Sequence, residues 1–138
     1  MHNVDDMGTE IHDSSKPIRL ILIDDEVGFA TVMAKRLARR GFDVTTAFSG
    51  SEAIRAMRKS EFDVAVLDLK MEDMDGIEVL KIFKKLDPAM PVIMLTGHGS
   101  EKSASEGMEY GAYDYLFKPY EFEELLEKIR EAVSSKKE

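Results

Sequence analysis

Asp68 ends an unbroken apolar run, Val64-Ala65-Val66-Leu67, and polar, helix-breaking sequence follows it: Lys70, Glu72, Asp73, Asp75 and Gly76. Such a run reads as a strand buried on both faces that delivers one carboxylate to a sheet edge. The pattern recurs elsewhere. Leu20-Ile21-Leu22-Ile23 runs into Asp24-Asp25-Glu26, Val92-Ile93-Met94-Leu95 into Thr96-Gly97, and Tyr115-Leu116-Phe117 into Lys118-Pro119. Parallel strands would bring all of these ends to one rim. Three carboxylates in one crevice repel each other, so something must neutralise them. A hard divalent cation such as Mg2+ does so with oxygen ligands and keeps several waters. Lys118 adds a fixed positive charge and Thr96 a hydroxyl. This set suits a phosphoryl group, with Asp68 as the attacking carboxylate. Taken singly, an Asp at a strand end is usually a helix or turn cap, and a lone Lys-Pro is usually a turn. The chemical reading rests on all four strand ends carrying complementary groups.

The elements that must position these groups follow from periodicity. Strands are expected over 18–24, 42–47, 62–68, 90–96 and 112–117. Between them, Ala30, Met33, Ala34, Leu37 and Ala38 share one helical face within 27–40, and Gly41 follows as a C-cap residue. Further helices are expected from 49 or 50 to 59, over 76–86 ahead of Asp87-Pro88, over 101–110 and over 121–134. Strand and helix alternate five times with short links, the signature of an α/β fold with a parallel sheet covered on both faces. The first, third and fourth strands are nearly all apolar and belong in the centre. The second carries Asp43, Thr45 and Thr46 and the fifth Asp114, so both belong at edges. With right-handed crossovers this fits the doubly wound, flavodoxin-like order 2-1-3-4-5 with five helices. Its switch point lies between strands one and three, where Asp24, Asp25 and Asp68 are expected.

Bulk properties narrow the class. The chain has 138 residues, 43% hydrophobic and 33% charged, as soluble globular domains do. Its net charge is -8, from 19 basic and 27 acidic residues, which argues against direct nucleic-acid binding. Absence of cysteine excludes disulfide and Cys-zinc frameworks. No apolar run approaches the roughly 20 residues of a membrane span, and the N-terminus lacks a signal-peptide core. A cytoplasmic protein with no membrane partner is the expectation. Residues 1–16 read as a polar, disordered leader in which His2 and His12 are solvated, 17–134 as the folded domain and 135–138 as a frayed charged end.

The motifs then carry a resemblance. Asp24-Asp25-Glu26, the segment from Leu67 to Gly76, Leu95-Thr96-Gly97-His98-Gly99, and the segment from Gly111 to Pro119 resemble a receiver domain of the two-component response-regulator family, chemotaxis-regulator-like, over about 18–133. The resemblance implies that Asp68 accepts a phosphoryl group from the phosphohistidine of a sensor histidine kinase or phosphotransfer protein. It implies that Asp25, Asp68 and the backbone carbonyl of Lys70 hold Mg2+, with Asp24 helping mostly through water. Thr96 would contact the phosphoryl group, Lys118 would pair with one of its oxygens, and Tyr115 would be the aromatic switch that turns inward when Thr96 moves. The Lys118–Pro119 bond is expected to be cis.

One position departs from the family pattern: Glu72 stands where proline is common. Without proline the loop is expected to be freer, with added charge at the pocket's edge and no loss of phosphorylation. Lys70 lies two residues after Asp68 and His98 two after Thr96, and the resemblance implies that such positions flank the path of the attacking water and tune self-dephosphorylation; the other reading is of solvated loop residues. The 101–110 helix has Ser103, Ala104, Ser105 and Gly107 in place of large apolar residues, so little burial opposes its movement. The resemblance places the output surface on this helix, the fifth strand and the last helix, which would bind a protein partner or a second copy in a weak homodimer.

The favoured expectation is a phosphorylation-controlled switch without an attached output domain, not a turnover enzyme. An excised receiver of a DNA-binding regulator or hybrid kinase would look the same. A Mg2+-dependent phosphohydrolase with an aspartyl nucleophile is the alternative of another kind. Its general acid would be an Asp two residues after the nucleophile, where this chain has Lys70.

Overall fold

The protein's structure, a computed structural model, describes residues 16–97 and 99–136. The leader expected over 1–16 lies almost wholly outside the described residues, as does His98. The elements run β1 (Arg19–Ile23), α1 (Val27–Arg39), β2 (Asp43–Ala47), α2 (Gly50–Lys59), β3 (Val64–Asp68), α3 (Gly76–Leu86), β4 (Val92–Gly97), α4 (Glu101–Glu109), β5 (Asp114–Lys118) and α5 (Phe122–Lys136). Each strand begins one or two residues later than expected, and three elements end later. β4 and β5 each run one residue further, to Gly97 and Lys118, because Gly97 and Lys118 pair with one another. Helix α5 continues through Lys136, so 135 and 136 are helical where a frayed end was expected.

The sheet is parallel throughout, in the order β2-β1-β3-β4-β5. Every residue of β3 is buried, whereas β2 and β5 are only partly covered, which is the edge-against-centre difference that polarity implied. Alternation along each strand sorts the core into two layers. Leu20, Leu22, Val64, Val66, Ile93 and Leu95 pack against α1 and α5 through Met33, Leu37, Leu125 and Ile129. Ile21, Ile23, Ala65, Leu67, Val92 and Met94 pack against α2 and α3 through Ala53, Leu80 and Phe83.

Helix ends are set locally. Ser49 accepts the Glu52 N–H at 3.1 Å and Asp75 accepts the Ile77 N–H at 2.9 Å, capping α2 and α3. Gly41 and Gly111 leave α1 and α4 at φ of 95° and 102°, a region side chains disfavour. Helix α4 is thinly anchored: Ala104 and Gly107 are its buried residues, against five in α3, and Ser100 makes no side-chain cap. Gly107 lets α4 lie directly on Met94, because a Cβ there would overlap the Met94 sulfur.

Candidate functional site

Register brings the predicted residues together. Ile23 is level with Leu67, so Asp24 follows β1 beside Asp68 at the end of β3. Asp68 is level with Leu95, which puts Thr96 one residue further along β4, and Lys118 ends β5 opposite Gly97. Parity places Asp24, Asp68 and Lys118 on the α1/α5 side and Thr96 and Tyr115 on the other. One ligand oxygen from each of Asp24, Asp25 and Asp68 lies within 4.8 Å of the others. Lys118 Nζ is 3.4 Å from Asp68 Oδ2 and 3.9 Å from Asp24 Oδ2.

Asp24, Asp68 and Thr96 are buried, Asp25 and Lys118 half-buried. Each carboxylate accepts one backbone N–H. Asp24 Oδ1 takes that of Glu26 at 2.9 Å, Asp68 Oδ1 that of Lys70 at 3.2 Å, and Asp25 Oδ2 that of Glu72 at 3.0 Å. Burial pushes the Asp68 carboxyl above the ordinary aspartate value; the Lys70 N–H and Lys118 pull it down, and Asp24 pushes it up again. Asp24 Oδ2 is buried with no hydrogen-bond partner. A cluster of three carboxylates, one with an orphaned buried oxygen, fits a hard cation with oxygen ligands.

The remaining predicted residues fall as follows. Lys70 is exposed, and its backbone pairs with that of Asp75 in an antiparallel β-bridge. Tyr115 is half-buried against the α2/α3 layer, its ring centroid 5.2 Å from that of Phe117. The Lys118–Pro119 bond is cis. At Glu72, where a loop freer than one with proline is expected, the structure shows several anchors. That loop is tied to Asp25 by the Glu72 N–H and to α2 by Asp73, whose carboxylate accepts the Gly50 N–H at 2.9 Å and the Ser51 N–H and hydroxyl at 3.1 Å.

Sequence reasoning missed Tyr120. Its hydroxyl is buried without a hydrogen-bond partner, and burial, then Asp24 and Asp68, push its pKa up to about 12. The available signal was an aromatic residue directly after Lys118-Pro119. Tyr120 lines a groove of about 430 Å³ with Phe29, Met33, Lys118 and Phe122.

Residues 20–130 match the response regulator receiver domain family. The chain belongs to that family. The receiver is 36% identical over 121 residues to the transcriptional regulatory protein ZraR of Salmonella typhimurium, covering 88% of this chain and 27% of that protein. It spans about a quarter of the length of relatives such as ZraR and GlrR, and about half that of TcrX of Mycobacterium tuberculosis. A CheY-like receiver domain protein from Methanospirillum hungatei superposes with a TM-score of 0.84 at 30% identity, covering 88% of this chain and 97% of that one. A receiver domain protein from Clostridium thermocellum gives 0.83 at 35% identity, covering 87% and 97%. The receiver is thus a signalling domain of two-component systems and not a metabolic enzyme. No helix among its described residues is long and apolar enough to cross a membrane.

Proposed function

We propose that this receiver, acting in the cytoplasm through residues 17–134, takes a phosphoryl group onto Asp68 from a histidine kinase or phosphotransfer protein and uses it to change its binding surface. The observation that carries this reading is Lys118 Nζ at 3.4 Å from Asp68, beside the Asp24–Asp25–Asp68 cluster at the switch point. Asp25, Asp68 and the Lys70 carbonyl would hold Mg2+, with Asp24 helping mostly through water. Bound there, Mg2+ supplies positive charge for the transferring oxygens. An Asp68 carboxylate oxygen attacks phosphorus, the bond to the donor imidazole nitrogen breaks, and that nitrogen keeps the electron pair. Lys118 pairs with one phosphoryl oxygen, and the Thr96 hydroxyl bonds another.

Thr96 and Tyr115 share a sheet face, so movement of Thr96 opens space into which Tyr115 turns. The response spreads to α4, β5 and α5, where α4 is least anchored. That surface binds a protein output partner, or a second receiver in a weak dimer. The signal ends when water attacks phosphorus and releases the Asp68 carboxylate and phosphate. Lys70 and His98 tune that rate.

The test is incorporation from a small acyl-phosphate donor with and without Mg2+, in wild type and Asp68→Asn. Mg2+-dependent labelling that the substitution abolishes is the expected result. Labelling that persists in Asp68→Asn, or never appears in folded wild type with kinases supplied, would overturn it.

A further inference from the structure

Two of the three clustered carboxylates are oriented by their own neighbours in sequence. Asp24 accepts from Glu26 and Asp68 from Lys70, each two residues along. Asp25 differs: its N–H donor, Glu72, is 47 residues away, in the loop between β3 and α3. Where Asp25 points therefore depends on how that loop is held.

The loop is held at several places. Asp73 accepts three hydrogen bonds from Gly50 and Ser51 at the start of α2. The backbones of Lys70 and Asp75 pair in an antiparallel β-bridge, and the Gly76 N–H donates to the Leu69 carbonyl at 3.1 Å. Met74 lies against Gly50, where an added Cβ would come within 2.9 Å of its sulfur. Gly76 packs so closely on Leu69 that a Cβ there would overlap the Leu69 backbone. The Glu72 N–H is thus presented from a fixed frame.

We propose that Glu72 is a positioning residue for the metal centre, its backbone N–H holding Asp25 in the orientation that binds Mg2+. This rests on the reading of Asp25 as a Mg2+ ligand. A carboxylate has several acceptor sites on two oxygens, so one N–H leaves room for a cation. Hydrogen bonds to a ligand from the surrounding shell fix its orientation, and their loss typically costs about 10–100-fold in metal affinity. The side chain of Glu72 is exposed and takes no part. The N–H does the positioning, and proline at this position would have none.

The full chain is titrated with Mg2+ by calorimetry and by backbone-amide NMR, as wild type, Glu72→Ala, Glu72→Pro, and a form with an ester in place of the Met71–Glu72 amide. Glu72→Ala keeps the N–H and is expected to bind like wild type, with the residue 72 amide still reporting the bond. Glu72→Pro and the ester lose it and are expected to bind about tenfold more weakly. Acyl-phosphate labelling of the same proteins should need proportionately more Mg2+ to reach half its maximal rate, with the plateau rate kept. Metal-free melting checks that each variant folds, and the ester decides if the proline form does not. Wild-type affinity in the ester form would overturn the positioning role while leaving the metal site intact. Equal weakening in Glu72→Ala would also overturn it, by assigning the effect to the side chain. Failure of folded wild type to bind Mg2+ at all would overturn the metal reading and the positioning role with it.

Discussion

Asp68 lies in the protein interior, and its environment states how it is poised. Burial raises its carboxyl above the usual aspartate value despite the Lys70 N–H and the nearby Lys118 ammonium. The folded receiver therefore holds this proton more tightly than the unfolded chain does, and charging Asp68 costs stability. The cost is absent below about pH 3.9, the ordinary carboxyl range, and grows as pH rises through the raised value. Asp68→Asn removes the charge and keeps the shape. Without Mg2+ it is expected to be more stable than wild type at pH 7 by on the order of 1 kcal/mol, about 3–5 °C in melting temperature. The gap should narrow toward pH 4 and on adding Mg2+, since the cation offsets the same charge. Thermal melts at the two pH values, with and without metal, measure it. A variant less stable than wild type at pH 7 would mean that Lys118 and the Lys70 N–H outweigh burial.

Among the elements, the loop between β3 and α3 behaves unlike its sequence. Glu72-Asp73-Met74 is polar and lacks a stiffening proline, yet it is tied to α2 and to the acidic cluster. The N–H groups of Gly50 and then Ser51 hold the Asp73 carboxyl below the ordinary aspartate value. Its stabilising effect is therefore present above about pH 3.9 and is lost as pH falls through the lowered value. Asp73→Ala is expected to cost about 1 kcal/mol at pH 7, as loss of a helix N-terminal acceptor does. Urea unfolding measures it, and the difference from wild type should shrink in acid. The residue types that make this link were visible in the sequence, but 22 residues separate Asp73 from Ser51. No local pattern joins positions so far apart.

In the whole molecule, the sheet order concentrates charge at one place and leaves movement to another. Asp24, Asp25 and Asp68 converge at the β1–β3 switch point, while α4 covers the opposite half with Ala104 and Gly107 as its buried residues. Amides of α4 are expected to exchange with solvent faster than those of α3, which buries Ile77, Val79, Leu80 and Phe83 beside Gly76. With Mg2+ and an acyl-phosphate donor, protection should change in α4 and β5 and stay constant in α3. Hydrogen exchange read by mass spectrometry tests both. A uniform change, or none in α4, would separate the acidic site from the proposed output surface.

The sequence by itself determined the α/β class, the sheet order and the residues at the rim. Those depend on local quantities: the period of apolar residues, the polarity of edge against central strands, and the residue type at each strand end. Asp24, Asp25, Asp68, Thr96 and Lys118 were legible because a parallel sheet brings all strand ends to one side. Only the tertiary structure decided how those groups are held. The bond from the Glu72 N–H to Asp25, the anchoring of Asp73 on α2, and the closeness of Tyr120 to the acids join segments remote in sequence. Every residue but proline carries a backbone N–H, so residue identity does not say where that N–H donates, and its partner is chosen by how the loops pack once the sheet has formed.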